Sequence, residues 1–409
     1  MYNGSMLNKK RTIYIIGAGV VGSAIAYVLS KNKDLEVVVL EKNGKIPDLN
    51  QSSRNAGVIH SGIYYSKEEE PLKVKYCVEG NKLLYEFCER EKVPYKKTGK
   101  LIVATAEAER EYLDYFYKSA LNNKVPGVKK ISADEIKKLE PNISAIYALY
   151  LPTSGLVDVD KLILKFKELA EKNGVKFITN TDVTDIKISE AGFVIKASSN
   201  KRTQSYTSDL VINAAGLYSD IISKMINKKS TYELLPTRGE FAEFKNTSNL
   251  KVHRNIYPTP FGFYKATGER AQVGLKEFLK LYKAGIVTRT VGVHLTPILT
   301  AKSTLGKVAI VGPAKTVNIG RIDYTIKLKP PEVYLKKISA FLTNIKREDL
   351  KLHYSGIMAS EKNHKDFVIQ SDENFSSFIN LVGIDSPGMT ACLSIAKHVE
   401  KLVNVLNAS

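Results

Sequence analysis

Residues 12–22 read TIYIIGAGVVG, an apolar run that leads directly into glycines at positions 17, 19 and 22. An apolar helical pattern continues to about residue 30, and the strand-like run of residues 36–40 ends at Glu41. Together these features predict the strand, turn, helix and strand that begin a dinucleotide-binding unit. Gly17 permits the tight turn, Gly19 lets a pyrophosphate approach the backbone, Gly22 allows close packing, and Glu41 would bind the ribose. NAD and FAD are both compatible with this pattern.

The remaining patterns predict a second, interleaved unit. Helices are predicted at about residues 72–91, 159–172 and 331–342, and a last helix begins near Gly388. Residues 232–328 alternate between apolar and polar side chains, which favours an antiparallel sheet.

We therefore predict an α/β fold, α+β overall, in which a Rossmann-like domain with a parallel sheet is interleaved with a substrate-binding domain on a mainly antiparallel sheet. The nucleotide-binding domain is predicted to be discontinuous because the chain returns to it twice. Its predicted segments are residues 11–95, 150–228 and 345–409, and those of the substrate-binding domain are 96–149 and 229–344.

A resemblance to a known family decides between the two cofactors. The decisive stretch is SSRNAGVIHSGIYY at residues 52–65, and the similarity continues through motifs that span nearly the whole chain. The sequence resembles the D-amino-acid-oxidase-like FAD superfamily, in particular the branch of L-2-hydroxyglutarate dehydrogenases and glycerol-3-phosphate dehydrogenase catalytic subunits. Further motifs that carry the resemblance are LLYEFC (83–88), GKLIVA (99–104), TSGLVD (153–158), NAAG (213–216), RGE (238–240) and VGIDSPGMT (382–390).

The resemblance implies that FAD is the cofactor and places residues along it. Residues 53–57 would follow the ribityl chain and pyrophosphate, and residues 383–390 would bring a helix N-terminus to the pyrimidine edge of the flavin, where the reduced ring is negative. An ordinary helix-start turn is the alternative for the latter segment. The complete set expected at FAD is Gly17, Gly19, Gly22, Glu41, Lys42, Ser52, Ser53, Arg54, Asn55, Gly57, His60, Val183, Ala215, Gly216, Gly383, Gly388, Met389 and Thr390.

Two histidines are the candidate catalytic residues. In the resembled family an alcohol carbon gives a hydride to the flavin while a base takes the hydroxyl proton, and histidine suits that role near neutral pH. His60 is expected beside the isoalloxazine because its loop belongs to the cofactor site. His294 is the second candidate, on a strand expected to face the flavin. A purely structural histidine is the alternative at both positions.

Arg238 and Tyr257 are the candidate substrate-binding residues, since a guanidinium and a phenol can hold and orient an anion. Two arginines found in many relatives are absent. Pro297 follows the His294-Leu295-Thr296 string, and Met358 ends the Gly356-Ile357-Met358 string.

These losses weaken an L-2-hydroxyglutarate assignment, because that substrate has two carboxylates. The first expectation is therefore oxidation of a small anionic secondary alcohol, sn-glycerol 3-phosphate to dihydroxyacetone phosphate. L-2-hydroxyglutarate oxidation is the alternative enzyme activity. A flavin-binding electron-transfer subunit without turnover is the alternative of another class.

Composition limits the partners. The formal charge is +19, yet the lysines are spread along the chain, which does not favour a nucleic-acid site. No apolar run is long enough to cross a bilayer, and residues 1–12 lack the pattern of a signal peptide.

Three cysteines without paired spacing predict no metal site and a reducing cytoplasmic location. A quinone or a partner protein is expected to take the electrons, and peripheral membrane association or a homo-oligomer stays compatible with the sequence.

Overall fold

The computed structural model describes residues 10–190, 192–199, 202–247, 249–264, 266–267, 271, 273–316, 319–324 and 327–408. Its helices are α1 (Val20–Leu29), α2 (Pro71–Glu91), α3 (Arg110–Asn122), α4 (Ala133–Leu139), α5 (Val159–Lys172), α6 (Ser219–Ile226), α7 (Leu275–Lys283), α8 (Pro331–Ile338) and α9 (Gly388–Ala408).

The strands of the first half are β1 (Arg11–Ile16), β2 (Leu35–Leu40), β3 (Val58–Ile59), β4 (Tyr95–Lys96), β5 (Lys100–Ala104), β6 (Lys129–Ser132), β7 (Tyr147–Leu151), β8 (Gly155–Val157), β9 (Lys176–Ile178), β10 (Thr181–Ser189), β11 (Gly192–Ser199) and β12 (Arg202–Ser208). Those of the second half are β13 (Leu210–Asn213), β14 (Leu234–Lys245), β15 (Asn255–Pro258), β16 (Phe261–Tyr264), β17 (Val287–Thr290), β18 (His294–Leu299), β19 (Leu305–Thr316), β20 (Lys351–Glu361), β21 (Val368–Ser371) and β22 (Phe378–Val382).

A six-stranded sheet with the order β21-β22-β13-β1-β2-β9 forms the first layer, and it is parallel except for the edge strand β21. Both of its faces are buried. Ile13 and Ile15 pack against α1, α2, α5 and α9, whereas Tyr14 and Ile16 pack against the meander β10-β11-β12. Successive side chains point to opposite faces of a strand, which explains why β1 is apolar throughout.

An eight-stranded sheet with the order β20-β14-β19-β18-β15-β5-β7-β6 forms the second layer. It is antiparallel except for the parallel pair β15 and β5. One face packs on α4 and α8 through side chains such as Leu101, Ile256 and Leu295. The intervening residues, among them Tyr257 and His294, point to the opposite face, so strand alternation alone directs them toward the space between the two sheets.

The predicted fold class is confirmed, and most predicted elements lie within one or two residues of those observed. The capping box at Ser132 and Glu135 forms as predicted. Helix α8 ends at Ile338 rather than near Leu342. The sequence pattern predicted a longer helix because Phe341 and Leu342, which follow the helix, are also apolar and buried. The division into five segments stays a prediction. Strand β20 pairs with β14 in the eight-stranded sheet, although residues 345–409 were assigned to the nucleotide-binding domain.

Candidate active site

A cavity of about 830 Å³ runs between the two sheets. Its floor is formed where β1, β2 and β13 end, at residues such as Gly17, Glu41 and Ala215, and its roof comes from β14, β15, β18, β19 and β20. The carboxyl ends of parallel strands are where open α/β sheets bind their ligands. The volume lies in the range of cofactor and ligand sites.

The glycine turn has no room for side chains. Gly17 has a φ of +101°, and a Cβ there would lie 2.5 Å from the carbonyl oxygen of Ala214. A Cβ on Gly22 would lie 2.0 Å from the Gly17 oxygen. Helix α1 starts at Val20, so its first N–H groups point toward the cavity end that Gly17 and Gly19 line.

Glu41 is held beside this turn. One carboxylate oxygen accepts a hydrogen bond of 2.8 Å from the Ala18 N–H, and the other accepts one of 2.9 Å from the Asn43 N–H. The predicted adenosine end continues through Lys42, whose ammonium lies 3.5 Å from the ring centroid of Tyr218, and through Val183, which also lines the cavity. These contacts place an acidic group and an apolar wall at the same end.

The serine-rich loop of residues 50–57 is fixed by its own side chains. The Val20 N–H donates to Ser52 Oγ over 3.0 Å, and the Tyr354 hydroxyl donates to the Asn55 carbonyl over 2.9 Å. Strand β20 approaches so closely that a Cβ on Gly356 would lie 1.8 Å from the Arg54 carbonyl oxygen. Ser53 Oγ is buried and lacks a hydrogen-bond partner among the described residues. Ser52, Arg54 and Asn55 of this loop line the cavity at the place expected for the pyrophosphate and ribityl chain, whereas Ser53 does not line it.

Most of the predicted cofactor residues meet in this one cavity, although they come from six separate stretches of the chain. Four predicted residues do not line it: Gly22 packs under the turn, Ser53 has a buried hydroxyl, and Gly57 and Gly383 have positive φ values of 64° and 68°. The lining members are Gly17, Gly19, Glu41, Lys42, Ser52, Arg54, Asn55, His60, Val183, Ala215, Gly216, Gly388, Met389 and Thr390.

His60 is fixed at its backbone and at both ring nitrogens. Its N–H donates to Thr390 Oγ1 over 3.0 Å, and its carbonyl accepts from Asn81 Nδ2 over 2.8 Å. Its Nε2 lies 3.4 Å from Ser386 Oγ and its Nδ1 lies 3.4 Å from Lys100 Nζ. Burial, with the positive charge of Lys100 as a lesser cause, holds the pKa of His60 well below its usual range. His60 is therefore neutral at pH 7 and able to accept a proton.

His294 stacks on Tyr257, with ring centroids 3.9 Å apart and an interplanar angle of 9°. Both side chains are buried and line the cavity. His294 Nδ1 lies 3.2 Å from Thr296 Oγ1. Burial lowers the pKa of His294 well below its usual range and raises that of Tyr257, so both rings are neutral. The stacked pair forms one wall of the cavity near His60.

Arg238 does not reach the cavity. Its guanidinium lies 3.0 Å from Glu240 Oε1 and 3.5 Å from Asp323 Oδ1, and the side chain is buried. Residues two apart on a strand share a face, so the Arg238-Gly239-Glu240 string already contained a signal for this ion pair. We therefore leave Arg238 out of the substrate site. Met358, by contrast, lines the cavity at the end of the string where the family resemblance predicts an arginine.

Two lysines near the site were not singled out from the sequence. Lys315 follows the Gly-Pro-Ala turn of β19 and lines the cavity, and Gly239 lies beside it as its strand partner. Lys315 Nζ has no carboxylate within ion-pair distance among the described residues. Lys100 is buried at the start of β5, behind His60. A lysine that begins the apolar run KLIVA, on the same strand face as Ile102 and Ala104, is the sequence signal that was available.

The comparisons with known proteins agree with this site. A sequence model described as "FAD dependent oxidoreductase" matches residues 12–402. The chain belongs to this family. It uses FAD, and the glycine turn without room for side chains, the cavity-lining Ser52 and the cleft between the sheets fit that cofactor. The resemblance to the D-amino-acid-oxidase-like superfamily is thereby confirmed.

Two relatives carry the name of an L-2-hydroxyglutarate dehydrogenase. The chain is 30% identical to "L-2-hydroxyglutarate dehydrogenase, mitochondrial" of Caenorhabditis elegans over 95% of this chain and 92% of that protein. It is 29% identical to "L-2-hydroxyglutarate dehydrogenase" of Indibacter alkaliphilus over 95% and 97%. These relatives are dehydrogenases of CH–OH donors, and the enzyme belongs to the same class of oxidoreductases.

Solved structures give the same fold. L-alpha-glycerophosphate oxidase from Mycoplasma pneumoniae, a structure with FAD bound, superimposes with a TM-score of 0.80 at 25% identity over 97% of this chain and 95% of that chain. Glycine oxidase from Geobacillus kaustophilus superimposes with a TM-score of 0.75 at 17% identity over the same shares. No helix within the described part of the chain is long and apolar enough to cross a membrane.

Proposed function

We propose that this enzyme oxidises an L-2-hydroxy dicarboxylic acid, L-2-hydroxyglutarate, to the 2-oxo acid. Sequence analysis placed glycerol 3-phosphate first, but the relatives named above support the alternative better. The observation that carries the proposal is their similarity over nearly the full length of both chains. It is supported by a cavity that is lined both by a neutral histidine, His60, and by Lys315, a lysine without a carboxylate at ion-pair distance among the described residues.

The residues divide the work as follows. FAD, when bound, supplies the acceptor for the hydride that leaves the substrate carbon. His60 takes the hydroxyl proton, because it is neutral and its backbone and ring contacts hold it in place. Tyr257 and His294 form the apolar wall that excludes water. The N-terminus of α9 meets the cavity at Gly388 and Met389, and the positive end of the helix dipole favours negative charge there.

Lys315 is the proposed clamp for a substrate carboxylate. Its side chain lines the cavity, and Gly239 on the neighbouring strand has no side chain that would block it. Partial desolvation within the cavity lowers the pKa of Lys315, although the side chain is exposed there; the charge of Asp385 opposes this shift and that of Lys73 adds to it. A bound carboxylate would stabilise the ammonium form. Lys315 thus supplies a cation on the sheet face where Met358 stands in place of the arginine that the family resemblance predicts.

Anaerobic flavin bleaching tests the substrate. Purified enzyme is mixed with L-2-hydroxyglutarate, D-2-hydroxyglutarate or sn-glycerol 3-phosphate, and the flavin absorbance is followed. Rapid bleaching by the L-hydroxy acid alone is the expected result. Bleaching by glycerol 3-phosphate and not by hydroxyglutarate would transfer the assignment to the second candidate, which the similarity to the glycerophosphate oxidase structure favours.

Lys315→Met tests the clamp. We expect the KM for L-2-hydroxyglutarate to rise about 10- to 100-fold, in line with the loss of a charged hydrogen bond. L-2-hydroxybutyrate, which lacks the distal carboxylate, would separate the two ends of the substrate: an equal loss for both acids assigns Lys315 to the shared carboxylate. Lys307→Met, an exposed lysine on the same strand, is the matched control. An unchanged KM in Lys315→Met would remove this residue from the site.

A further inference from the structure

Lys100 lies at a position where the burial of a charged side chain lowers the stability of the folded protein. It starts β5, all of whose residues are buried, and its own exposed fraction is 0%. It does not line the cavity but lies on the far side of His60 from Ser386. Among the described residues no carboxylate lies within ion-pair distance of its ammonium. An unpaired buried charge is strongly destabilising, so the position calls for an explanation.

The groups around Lys100 Nζ are basic, neutral or aromatic. His60 Nδ1 lies at 3.4 Å, the Tyr257 ring centroid at 3.9 Å and the Tyr64 ring centroid at 5.3 Å. The Cys77 thiol on α2 and the His294 ring on β18 are the other titratable groups that face it. Aromatic faces stabilise an ammonium group moderately, and none of these neighbours carries a formal negative charge at pH 7. The surroundings therefore permit both the amine and the ammonium form.

We propose that Lys100 accepts a proton from His60 during the reaction and holds it until the product leaves; we call Lys100 the proton store. This role rests on the alcohol oxidation proposed above. In the resting site the neutral amine of Lys100 accepts the Nδ1–H of His60, which leaves the Nε2 lone pair free for the substrate hydroxyl. An ammonium at Lys100 would instead donate to Nδ1 and put the hydrogen on Nε2. His60 could then no longer act as a base through the nitrogen nearest Ser386.

The step balances as follows. FAD, when bound, would accept the hydride and its two electrons as the C–H bond of the substrate breaks and the alcohol becomes a ketone. The O–H bond breaks, Nε2 of His60 takes that proton, and Nδ1 gives its own proton to Lys100 Nζ. One proton remains on Lys100 until the product leaves and the transfer reverses to water in the cavity. The positive charge thus moves away from the reacting carbon onto a group between two aromatic faces.

The ionisation of Lys100 agrees with this geometry. Burial, only partly offset by the Cys77 side chain, lowers the pKa of Lys100 to about 7. Above that pH the amine of Lys100 is neutral and can accept the proton from His60. Below that pH the amine is already protonated and cannot accept another proton. The rate of flavin reduction should therefore rise with pH and level off above about 7.

Imidazole ¹⁵N NMR of the apoprotein tests the relay without any substrate. In the wild type we expect His60 to carry its hydrogen on Nδ1 at pH 8.5 and to move it to Nε2 as the pH falls through about 7. In Lys100→Met the Nε2–H form should dominate at both pH values, because no amine accepts from Nδ1. His60→Gln identifies the signal. A wild-type His60 that keeps the Nε2–H form at pH 8.5 would overturn the proposal, even if Lys100→Met does not fold.

Stopped-flow reduction of the FAD-loaded enzyme is the second test. Lys100→Met should keep its flavin spectrum but reduce its flavin at least about 100-fold more slowly, and should lose the inflection near pH 7. Lys100→Arg should not restore the rate, because arginine stays charged and cannot take a proton. Lys129→Met, an exposed lysine on β6 of the same sheet, is the control. If Lys100→Arg restored the rate, a fixed positive charge would suffice and the proton transfer to Lys100 would be refuted. If no substrate reduced the flavin even in the wild type, the proposed function would be wrong, but the NMR result would still test the proton transfer.

Discussion

His60 makes contacts with several elements that are far apart in the sequence. Its backbone contacts α9 through Thr390 and α2 through Asn81, and its ring lies between Ser386 and Lys100. A side chain held at so many points has its orientation set before substrate arrives, which is a requirement of efficient proton transfer.

We predict that His60→Gln keeps FAD and loses about 10²- to 10⁴-fold in the rate of flavin reduction, because glutamine retains hydrogen bonding but is not a base. The flavin absorbance of the purified variant measures cofactor content, and stopped-flow mixing with substrate measures the rate. His353→Gln, a partly exposed histidine on β20, is the control. A rate within a few-fold of wild type would remove His60 from the catalytic role.

Lys100 also makes a prediction about stability. Its pKa is about 7 in the folded enzyme but about 10.5 in the unfolded chain, so unfolding takes up a proton between these values. Stability due to this group therefore rises with pH from about 7 to about 10.5, by up to about 1.4 kcal/mol per unit.

Lys100→Met is accordingly expected to increase the free energy of unfolding at pH 7 by about 2–4 kcal/mol, since a methionine of similar length carries no charge to desolvate. Urea unfolding of the apoproteins at pH 7 and pH 9.5 measures the effect. The gain should be smaller at pH 9.5. A variant that is less stable than wild type at pH 7 would contradict the view that this lysine is buried at a cost.

The sequence identified the glycines, the serine-rich loop and His60 because these depend on local geometry and on short motifs. Lys100, Lys315 and the fate of Arg238 depend on which strands lie side by side. Lys315 becomes a cavity residue only because β19 pairs with β14 at Gly239, a partner 76 positions earlier in the sequence. That pairing is a tertiary property and leaves no local signal.

Helices α2 and α9 show how elements position the site. Gly80 of α2 faces the first turn of α9, and a Cβ there would lie 2.5 Å from the Thr390 carbonyl oxygen and 2.8 Å from Ala391 Cα. Thr390 Oγ1 accepts a hydrogen bond from the His60 N–H. The distance between α2 and α9 therefore also sets the position of the His60 backbone relative to the cavity.

Gly80→Ala should therefore destabilise the enzyme by about 1–3 kcal/mol despite the better helix propensity of alanine, because backbone atoms of α9 must move. It should also weaken FAD binding, since the N-terminus of α9 lines the cavity at the end where we expect the flavin ring. Urea unfolding and FAD titration measure the two effects. Lys82→Ala, on the exposed face of the same helix, should leave both unchanged. A fully stable Gly80→Ala would show that the helices can separate freely.

At the scale of elements, prediction succeeded where start and stop signals are strong. Pro71 and Pro331 begin α2 and α8, and Asp158 caps α5. The sequence also indicated the large antiparallel sheet. It could not show that β5 joins β15 in parallel or that β20 leaves the nucleotide-binding segment for the other sheet, because both pairings connect strands more than 100 residues apart.

The whole molecule places one cavity between two sheets and surrounds it with a strongly basic surface. The formal net charge is +19, whereas the proposed substrate carries two negative charges. A charge of this sign and size attracts small anions and raises the rate at which they meet the cavity. The attraction acts over about 10 Å at 0.1 M ionic strength and weakens as salt is added.

We predict that the second-order rate constant for flavin reduction by L-2-hydroxyglutarate falls several-fold between about 0.02 M and 0.3 M ionic strength, because salt screens the encounter. The maximum rate at saturating substrate serves as the internal control and should change little, since the proton and hydride steps occur inside the cavity. Lys307→Met should retain the salt dependence, because the effect belongs to the summed charge and not to one lysine. A salt-independent second-order constant would mean that the basic surface plays no part in substrate capture, and an equal loss in the maximum rate would place the effect within the site itself.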